Sequence, residues 1–270
     1  IKKIKYSRIY DQNLDVSLAI TTFTTPKEYS TKEINKRKKK MVGTNIFDRI
    51  HYNVQKDENG SLNLEVRAVE QTKNQVKGSL HFDTERGAGL ILNYTGRNVI
   101  TNSSRILITA DIAQEQRWRA QYQKIFGTKK EWWFRAEYYA ESLEQEFTIG
   151  GELAENLDYR YSIFDFEINK NLNTFRSYAG IGLSSETTRI KPEIDPDVQD
   201  NALGLERYKY DTYNIYAHYV YNTMDQNFYS TRGSYFKAKL SQSVYNDMDF
   251  IPSDEMTEDL NGSLGSITKL

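Results

Sequence analysis

Three histidines, His51, His81 and His218, are the side chains best suited to proton transfer or metal ligation near neutral pH. They fall on three separate strand-like segments, and no carboxylate recurs at a fixed spacing from them. Each reads as a structural histidine. The chain has no cysteine, which excludes disulfides, thiolate metal sites and a cysteine nucleophile. A serine hydrolase of the nucleophile-elbow type needs Gly-x-Ser-x-Gly. The nearest approach, Gly262-Ser263-Leu264-Gly265, has the wrong spacing. Glu186, Glu193, Asp195 and Asp197 could gather around a divalent cation, but their spacing matches no EF-hand, and a solvated loop accounts for them. The pairs Gly87-Gly89 and Gly180-Gly182 alternate within strands, where bends of a curved sheet explain them better than a phosphate cradle. No catalytic residue, metal or cofactor is expected.

The elements around these residues point to a membrane rather than to an enzyme core. There are 20 Tyr, 12 Phe and 3 Trp against 4 Pro. Tyrosine in such excess suits pleated surfaces and interfaces where the ring is buried and the hydroxyl stays wet. Mean hydropathy is -0.72, and no apolar run approaches the ~20 residues that a membrane helix requires. A transmembrane barrel is compatible with this value, because its strands alternate and average out as hydrophilic. The net charge of -1 provides no bulk field toward nucleic acid. The chain starts at Ile1 without a signal peptide and reads as a processed or cut product of something longer.

Residues 1–75 read as one small α+β unit. Ile1 to Tyr10 alternates like a strand, and Asp11 to Phe23 is helix-permissive. Ser30-Thr31-Lys32-Glu33 is a capping box. It opens a helix through the basic run Lys36 to Lys40 to Met41-Val42, with Gly43 as its C-cap. The basic run reads as a solvated helix face. Asn45 to Val54 and Ser61 to Val69 are strands around the hairpin turn Asp57-Glu58-Asn59-Gly60. On the second, Leu62, Leu64 and Val66 share a face, with Val69 at its end.

From Val76 onward the helical period disappears, and nine alternating strands follow. They are Val76–Thr84, Ala88–Thr95, Arg105–Ala113, Arg117–Lys124, Glu131–Glu141, Tyr159–Asn169, Phe175–Thr187, Tyr213–Tyr221 and Ser234–Ser241. Their polar faces carry charges such as Arg117 with Arg119, and Arg135 with Glu137. The expected lengths suit the ~9–11 residues of a tilted membrane strand. Trp118, Trp132, Trp133, Tyr138, Tyr219 and Tyr221 sit near strand ends, where an aromatic girdle is expected. Two long connections, Ser142 to Asp158 and Thr188 to Arg207, fall on the same side of the sheet, as extracellular loops should.

Two motif groups carry a family resemblance. Gly78-Ser79-Leu80-His81-Phe82-Asp83, then Gly87 to Tyr94, then Arg97-Asn98 resembles the opening of the BamA superfamily barrel, also called the bacterial surface antigen domain. Asn222 to Phe236 resembles that family's mid-barrel turn, with Ser230 where proline is common. The β-α-α-β-β order of residues 1–75, with Gly43 to Ile50 at the helix-to-strand junction, resembles a POTRA domain. Within the superfamily the chain looks most similar to the patatin-like phospholipase branch, in which a lipase domain precedes one POTRA domain and the barrel. The inward loop motif Val-Arg-Gly-Phe is absent, and Arg232-Gly233 is not it.

The resemblance implies a mainly β protein: a periplasmic α+β POTRA domain over residues 1–75, then part of an antiparallel transmembrane barrel over 76–270. The whole barrel would have about sixteen strands, an even number as is usual for such barrels. It implies a bacterial outer-membrane location and a role in membrane-protein insertion or polypeptide translocation. The alternative role is anchoring, and exporting, an upstream lipase domain. Val76, Gly78, Leu80 and Phe82 would belong to the lateral-seam strand. Partners would be outer-membrane lipid and a polypeptide client or the protein's own N-terminal domain, with a homodimer or assembly complex left open and no nucleic acid. The rival readings are a hydrolase whose catalytic domain lies upstream, a passive porin-like barrel, and a soluble β-protein.

Overall fold

The computed structural model describes residues 1–7, 9, 17–18, 21, 23–43, 46–83, 87–174, 176–192, 205–224, 231–252, 260–262 and 268–269. The small unit consists of β1 (Lys3–Ser7), α1 (Thr31–Gly43), β2 (Phe47–Lys56) and β3 (Leu62–Glu70). Its sheet has the order β1-β3-β2, with β1 parallel and β2 antiparallel to β3. The hairpin turns where Asp57 Oδ1 accepts from the Asn59 amide at 2.7 Å and Gly60 takes φ +78°. The capping box closes in both directions. Glu33 N donates to Ser30 Oγ at 3.2 Å, and Ser30 N donates to Glu33 Oε2 at 3.0 Å. Of the permissive stretch 11–23, Ser17, Leu18 and Thr21 are described as helical, and most of the rest lies outside the described residues.

Met41, Phe47, Ile50, Leu64, Val66 and Ala68 form the core of this unit. Val69 does not join them. It is exposed, because the period of two that begins at Leu64 gives the inward place to Ala68. The basic helix face is also less uniform than a solvated run. Arg37 lies over the rings of Phe23 and Tyr29, 4.8 and 5.2 Å from their centroids, and donates to the Thr21 carbonyl. One cation of the run therefore ties the helix to the segment before it.

The large sheet contains β4 (Asn74–Asp83), β5 (Gly87–Arg97), β6 (Ser104–Ile112), β7 (Arg117–Phe126), β8 (Trp132–Ile149), β9 (Glu152–Thr174), β10 (Ser177–Pro192), β11 (Leu205–Asn222) and β12 (Tyr235–Pro252). Each pairs antiparallel with its sequence neighbours, in unbroken order. Two short pieces, β13 (Leu260–Gly262) and β14 (Thr268–Lys269), both pair with β12. Phe250 faces Leu260 and Ser241 faces Lys269, which is one common register. Both short pieces lie on the side of β12 away from β11.

Strands continue through stretches whose composition suggests loops. Ser142 to Asp158 is no loop. β8 and β9 stay paired to Ile149 and Glu152 and turn at Gly150-Gly151. Both glycines have positive φ, +64° and +93°, as a two-residue hairpin with matching twist requires. Likewise β10 runs on to Pro192 and β11 begins at Leu205, while residues 193–204 lie outside the described residues. The strands from β8 to β12 are thus 16 to 23 residues long. The described charged residues of these two stretches occupy strand positions beyond the apolar band, where pairing with the neighbouring strand continues.

The sheet is reversed relative to a soluble one. Its enclosed face buries Asp111, Gln121, Glu167, Asn169, Thr212, Asn214, His218 and Asn246. Its open face displays Val76, Leu80, Phe82, Leu90, Leu92, Ile108, Ile112, Ile181, Leu183, Ile215 and Leu240. The small unit joins it at the end where β5 turns to β6. Gln71 N donates to Ile46 O at 2.8 Å, and Arg97 N donates to Lys73 O at 2.7 Å.

Two outcomes follow for the small unit, both read by hydrogen exchange of β2 and β3 in the intact protein. Leu64→Ala removes a fully buried side chain and lowers local stability by about 2–5 kcal/mol, whereas Leu62→Ala at the exposed end of the same face costs about 0.5 kcal/mol or less. The Ser30 amide, first among several influences, holds the Glu33 carboxyl below its ordinary range. A lowered carboxyl pKa contributes stability above its unfolded value that is lost as pH falls through the folded value. Protection of α1 should therefore fall on acidification below the ordinary glutamate range, and the fall should vanish in Glu33→Gln.

Candidate functional site

The enclosed face is a continuous polar wall, densest across β8 to β11. Alternation sends Arg135 on β8, Asp165, Glu167 and Asn169 on β9, and Tyr216 and His218 on β11 to the same side. Arg135 lies 3.2 Å from Glu167 and 3.9 Å from Asp165. The Tyr216 hydroxyl is 2.7 and 2.8 Å from the two Asp165 oxygens and 3.3 Å from Glu167. His218 Nε2 meets Asn169 Oδ1 at 2.6 Å. Lys239 sits 3.9 Å from the centroid of the Tyr216 ring, which stacks on His218.

β9 and β11 are not neighbours; β10 lies between them. Contact across it is possible because the intervening residues are glycines. Gly180 faces Asn169 on one side and His218 on the other, and Gly182 faces Glu167 and Tyr216. A methyl at Gly180 would overlap Asn169 Oδ1, and one at Gly182 would overlap the Tyr216 ring. The same arrangement recurs at the other side of the sheet. His81 on β4 lies over Gly89 on β5, where a methyl would overlap its ring, and reaches Asp111 on β6 at 2.8 Å. Arg117 completes that group at 2.6 Å from Asp111. Between the two groups, Arg105 donates to Gln121 at 3.0 Å, and Arg119 pairs with Glu137 at 2.9 Å.

This wall links strands and presents a hydrophilic interior. Arg117 pairs with Asp111, Arg119 with Glu137, and Arg135 is shared by Asp165 and Glu167, while the histidines are held by Asn169 and Asp111. Among the described residues, no group of three or more His, Asp or Glu could hold a metal. Glu186 accepts from Asn214 at 3.2 Å, while Glu193, Asp195 and Asp197 lie outside the described residues, as do residues 263–265. His51 is exposed on β2, apart from the other two histidines.

The opposite face carries the residues singled out for a girdle. Trp118, Trp132, Tyr138, Tyr219 and Tyr221 all point outward. They fall into two tiers. Trp132 and Tyr219 belong to one cross-strand row toward the small unit, through Lys170 and Ala179. Tyr138 belongs to a second row through Phe164 and Ser185 to Tyr213 and Tyr245. The tiers are about 20 Å apart along β8 and β11 at ~3.3 Å per residue. Trp133 does not share this role. It points inward at 5% exposure and donates to Asn171 Oδ1 at 3.0 Å. On β4, Val76, Leu80 and Phe82 are 73%, 83% and 78% exposed, with Gly78 on the same face. β4 has one hydrogen-bonded neighbour among the described strands, β5.

No family model matches the chain, and no curated protein matches it in sequence. Among solved structures it is similar to BamA from Haemophilus ducreyi lacking POTRA domains 1–3, with a TM-score of 0.55 and 11% identity, over 94% of this chain and 52% of that one. It is also similar to CdiB from Acinetobacter baumannii, with a TM-score of 0.45 and 11% identity, over 93% of this chain and 48% of that one. The chain thus spans about half the length of each. The fold is that of a BamA-type barrel sheet.

Gly182→Ala should destabilise the folded sheet by about 1–3 kcal/mol through overpacking against Tyr216. Tyr216→Phe should cost a similar ~1–3 kcal/mol by leaving buried carboxylate oxygens short of a donor. Ala217→Val, one residue away on the apolar face, should stay within about 0.5 kcal/mol. Denaturant midpoints of the detergent-folded protein measure all three.

Proposed function

We propose that this chain is part of an outer-membrane barrel of the BamA superfamily that inserts or translocates other polypeptides, with residues 1–75 as a periplasmic POTRA-type domain. The observation that carries the reading is the reversed sheet ending in an open apolar strand, β4. An exposed wall of Leu, Ile and Val must be covered, and lipid covers it without a partner protein. The likeness in fold to BamA over 94% of this chain supports the barrel reading. In this orientation the small unit marks the periplasmic end, and the long overhang of β8 to β12 points outward.

The mechanism belongs to backbone groups. An edge strand offers a row of N–H and C=O groups that templates an incoming strand. Among the described strands β4 pairs with β5 alone and directs Val76, Leu80 and Phe82 outward, so a client strand docked along its other edge would meet lipid with its own apolar residues. No side chain is catalytic in this scheme. The polar wall keeps the interior hydrated, and its cross-strand ties hold the remainder of the sheet closed to slippage.

These 270 residues contain no cysteine, so a single one introduced here, with any elsewhere in the full-length protein replaced by serine, is the sole thiol. Leu80→Cys in the full-length protein should form disulfides with cysteines placed in the strands of an outer-membrane polypeptide during its assembly, and Ile108→Cys on paired β6 should not. Equal cross-linking at both positions, or none at Leu80, would overturn the reading. Extraction without detergent, and gel migration unchanged by heating, would overturn the membrane barrel itself.

A further inference from the structure

The outward face of the sheet changes character sharply beyond the second aromatic tier. On β9 to β11, the row four residues past Phe164, Ser185 and Tyr213 is Arg160, Arg189 and Lys209. Arg189 faces Arg160 directly on one side and Lys209 directly on the other. Three cations therefore stand abreast on adjacent strands, on the wall that faces away from the polar interior. Like charges directly opposite one another across a ladder are destabilising. Carboxylates flank the row and pair with its members: Asp158 with Arg160 at 2.9 Å, and Asp211 with Lys209. Two residues further along β11, Arg207 pairs with Asp249 at 2.7 Å. Lys191 faces Asp158 across the ladder and Lys209 faces Asp249, but Arg189, at the centre, and Lys191 have no ion pair within 4 Å among the described residues.

The surface here is concave. Arg189, Lys191, Arg207 and Lys209, with Asp249, line a recess of about 320 Å³. Arg189 and Arg160 also border a second hollow of about 630 Å³, whose floor toward the aromatic tier is Trp118, Tyr138 and Ala140. A cationic recess thus opens onto an aromatic and small-residue groove. Four residues correspond to about 13 Å along a strand, and to about 9 Å along the membrane normal at a tilt of ~45°. That is the depth of the headgroup layer above a hydrocarbon core bounded by the aromatic tier.

We propose that this patch binds the phosphate of a phosphorylated glycolipid in the outer leaflet, with Arg189 and Lys191 as its main ligands, Lys209 and Arg160 beside them, and Trp118 and Tyr138 against the sugar and upper acyl chain. The proposal rests on the outer-membrane orientation given above. A phosphate fits better than a carboxylate, since its several oxygens can bridge neighbouring cations and its charge relieves their repulsion. Bound there, the lipid would fix the height and tilt of β9 to β11 in the membrane, on the side of the sheet away from the β4 edge.

The test uses the full-length protein in detergent micelles containing either diphosphoryl lipid A or the same glycolipid without phosphates, with bound lipid counted by native mass spectrometry. The diphosphoryl form should be retained preferentially, and inorganic phosphate at equal concentration should not displace it. Arg189→Gln combined with Lys191→Gln should weaken retention about 30-fold. Arg189→Lys combined with Lys191→Arg should keep most of it. Equal retention of the two glycolipids, no loss in the double glutamine variant, or displacement by inorganic phosphate would each overturn the proposal. If the glutamine variant does not fold, the comparison of the two glycolipids on the unaltered protein decides alone. Heat-modifiable migration of the same samples reports the barrel separately, so a failed lipid site is distinguishable from a failed membrane reading.

Discussion

One constraint governs the large sheet: the enclosed face is polar and the open face is apolar. An open apolar face cannot satisfy stray backbone groups with water, so the ladder must satisfy them itself. The unbroken antiparallel order from β4 to β12, each strand paired only with its sequence neighbours, meets that requirement. The alternation of side chains follows from it. Ile181 and Leu183 point out while Gly180 and Gly182 point in, and the neighbouring strands keep matching faces, with β12 shifting its phase by one residue at the bulge around Val244.

The interior solves a different problem. Arginines and carboxylates enclosed behind a sheet are costly unless matched, and a partner is often two strands away. Glycine on the intervening strand removes the obstacle. Tyr216 crosses Gly182 to Asp165, His218 crosses Gly180 to Asn169, and His81 crosses Gly89 to Asp111. These glycines serve side-chain passage rather than a turn or a left-handed backbone. The resulting ties join three strands at a time, which resists shear between neighbours more than adjacent-strand pairs do.

The small unit works by the ordinary rule, with Phe47, Ile50, Leu64 and Val66 inside and the charged helix face largely outside. The two parts of the chain therefore have opposite inside-out logic, and they change over within residues 71–73. The short connection is fixed by backbone bonds from Gln71 and Arg97, and by Arg97 Nη1 to the Thr72 carbonyl at 3.0 Å. Wherever the sheet is set, the small unit is held close to its β5–β6 turn.

Much of this was legible in the residues themselves. Alternation identified the nine strands and their faces, the capping box placed α1, and Asp57 to Gly60 placed the first hairpin, because each depends on spacing within a few residues. Strand ends were less legible. Ser142 to Asp158 resembled a loop, since charges there break the apolar pattern while pairing continues, and pairing depends on the partner strand. The polar site is half visible in the sequence: alternation sets Tyr216 and His218 on one face and spaces Gly180 and Gly182 two apart, but nothing local connects them to Asp165, Glu167 or Asn169. The sequence by itself determined which side of each strand each residue occupies, because the pleat has a period of two. Only the tertiary structure decided which residues meet, because register across β9, β10 and β11 sets Tyr216 over a glycine and Arg189 between two other cations.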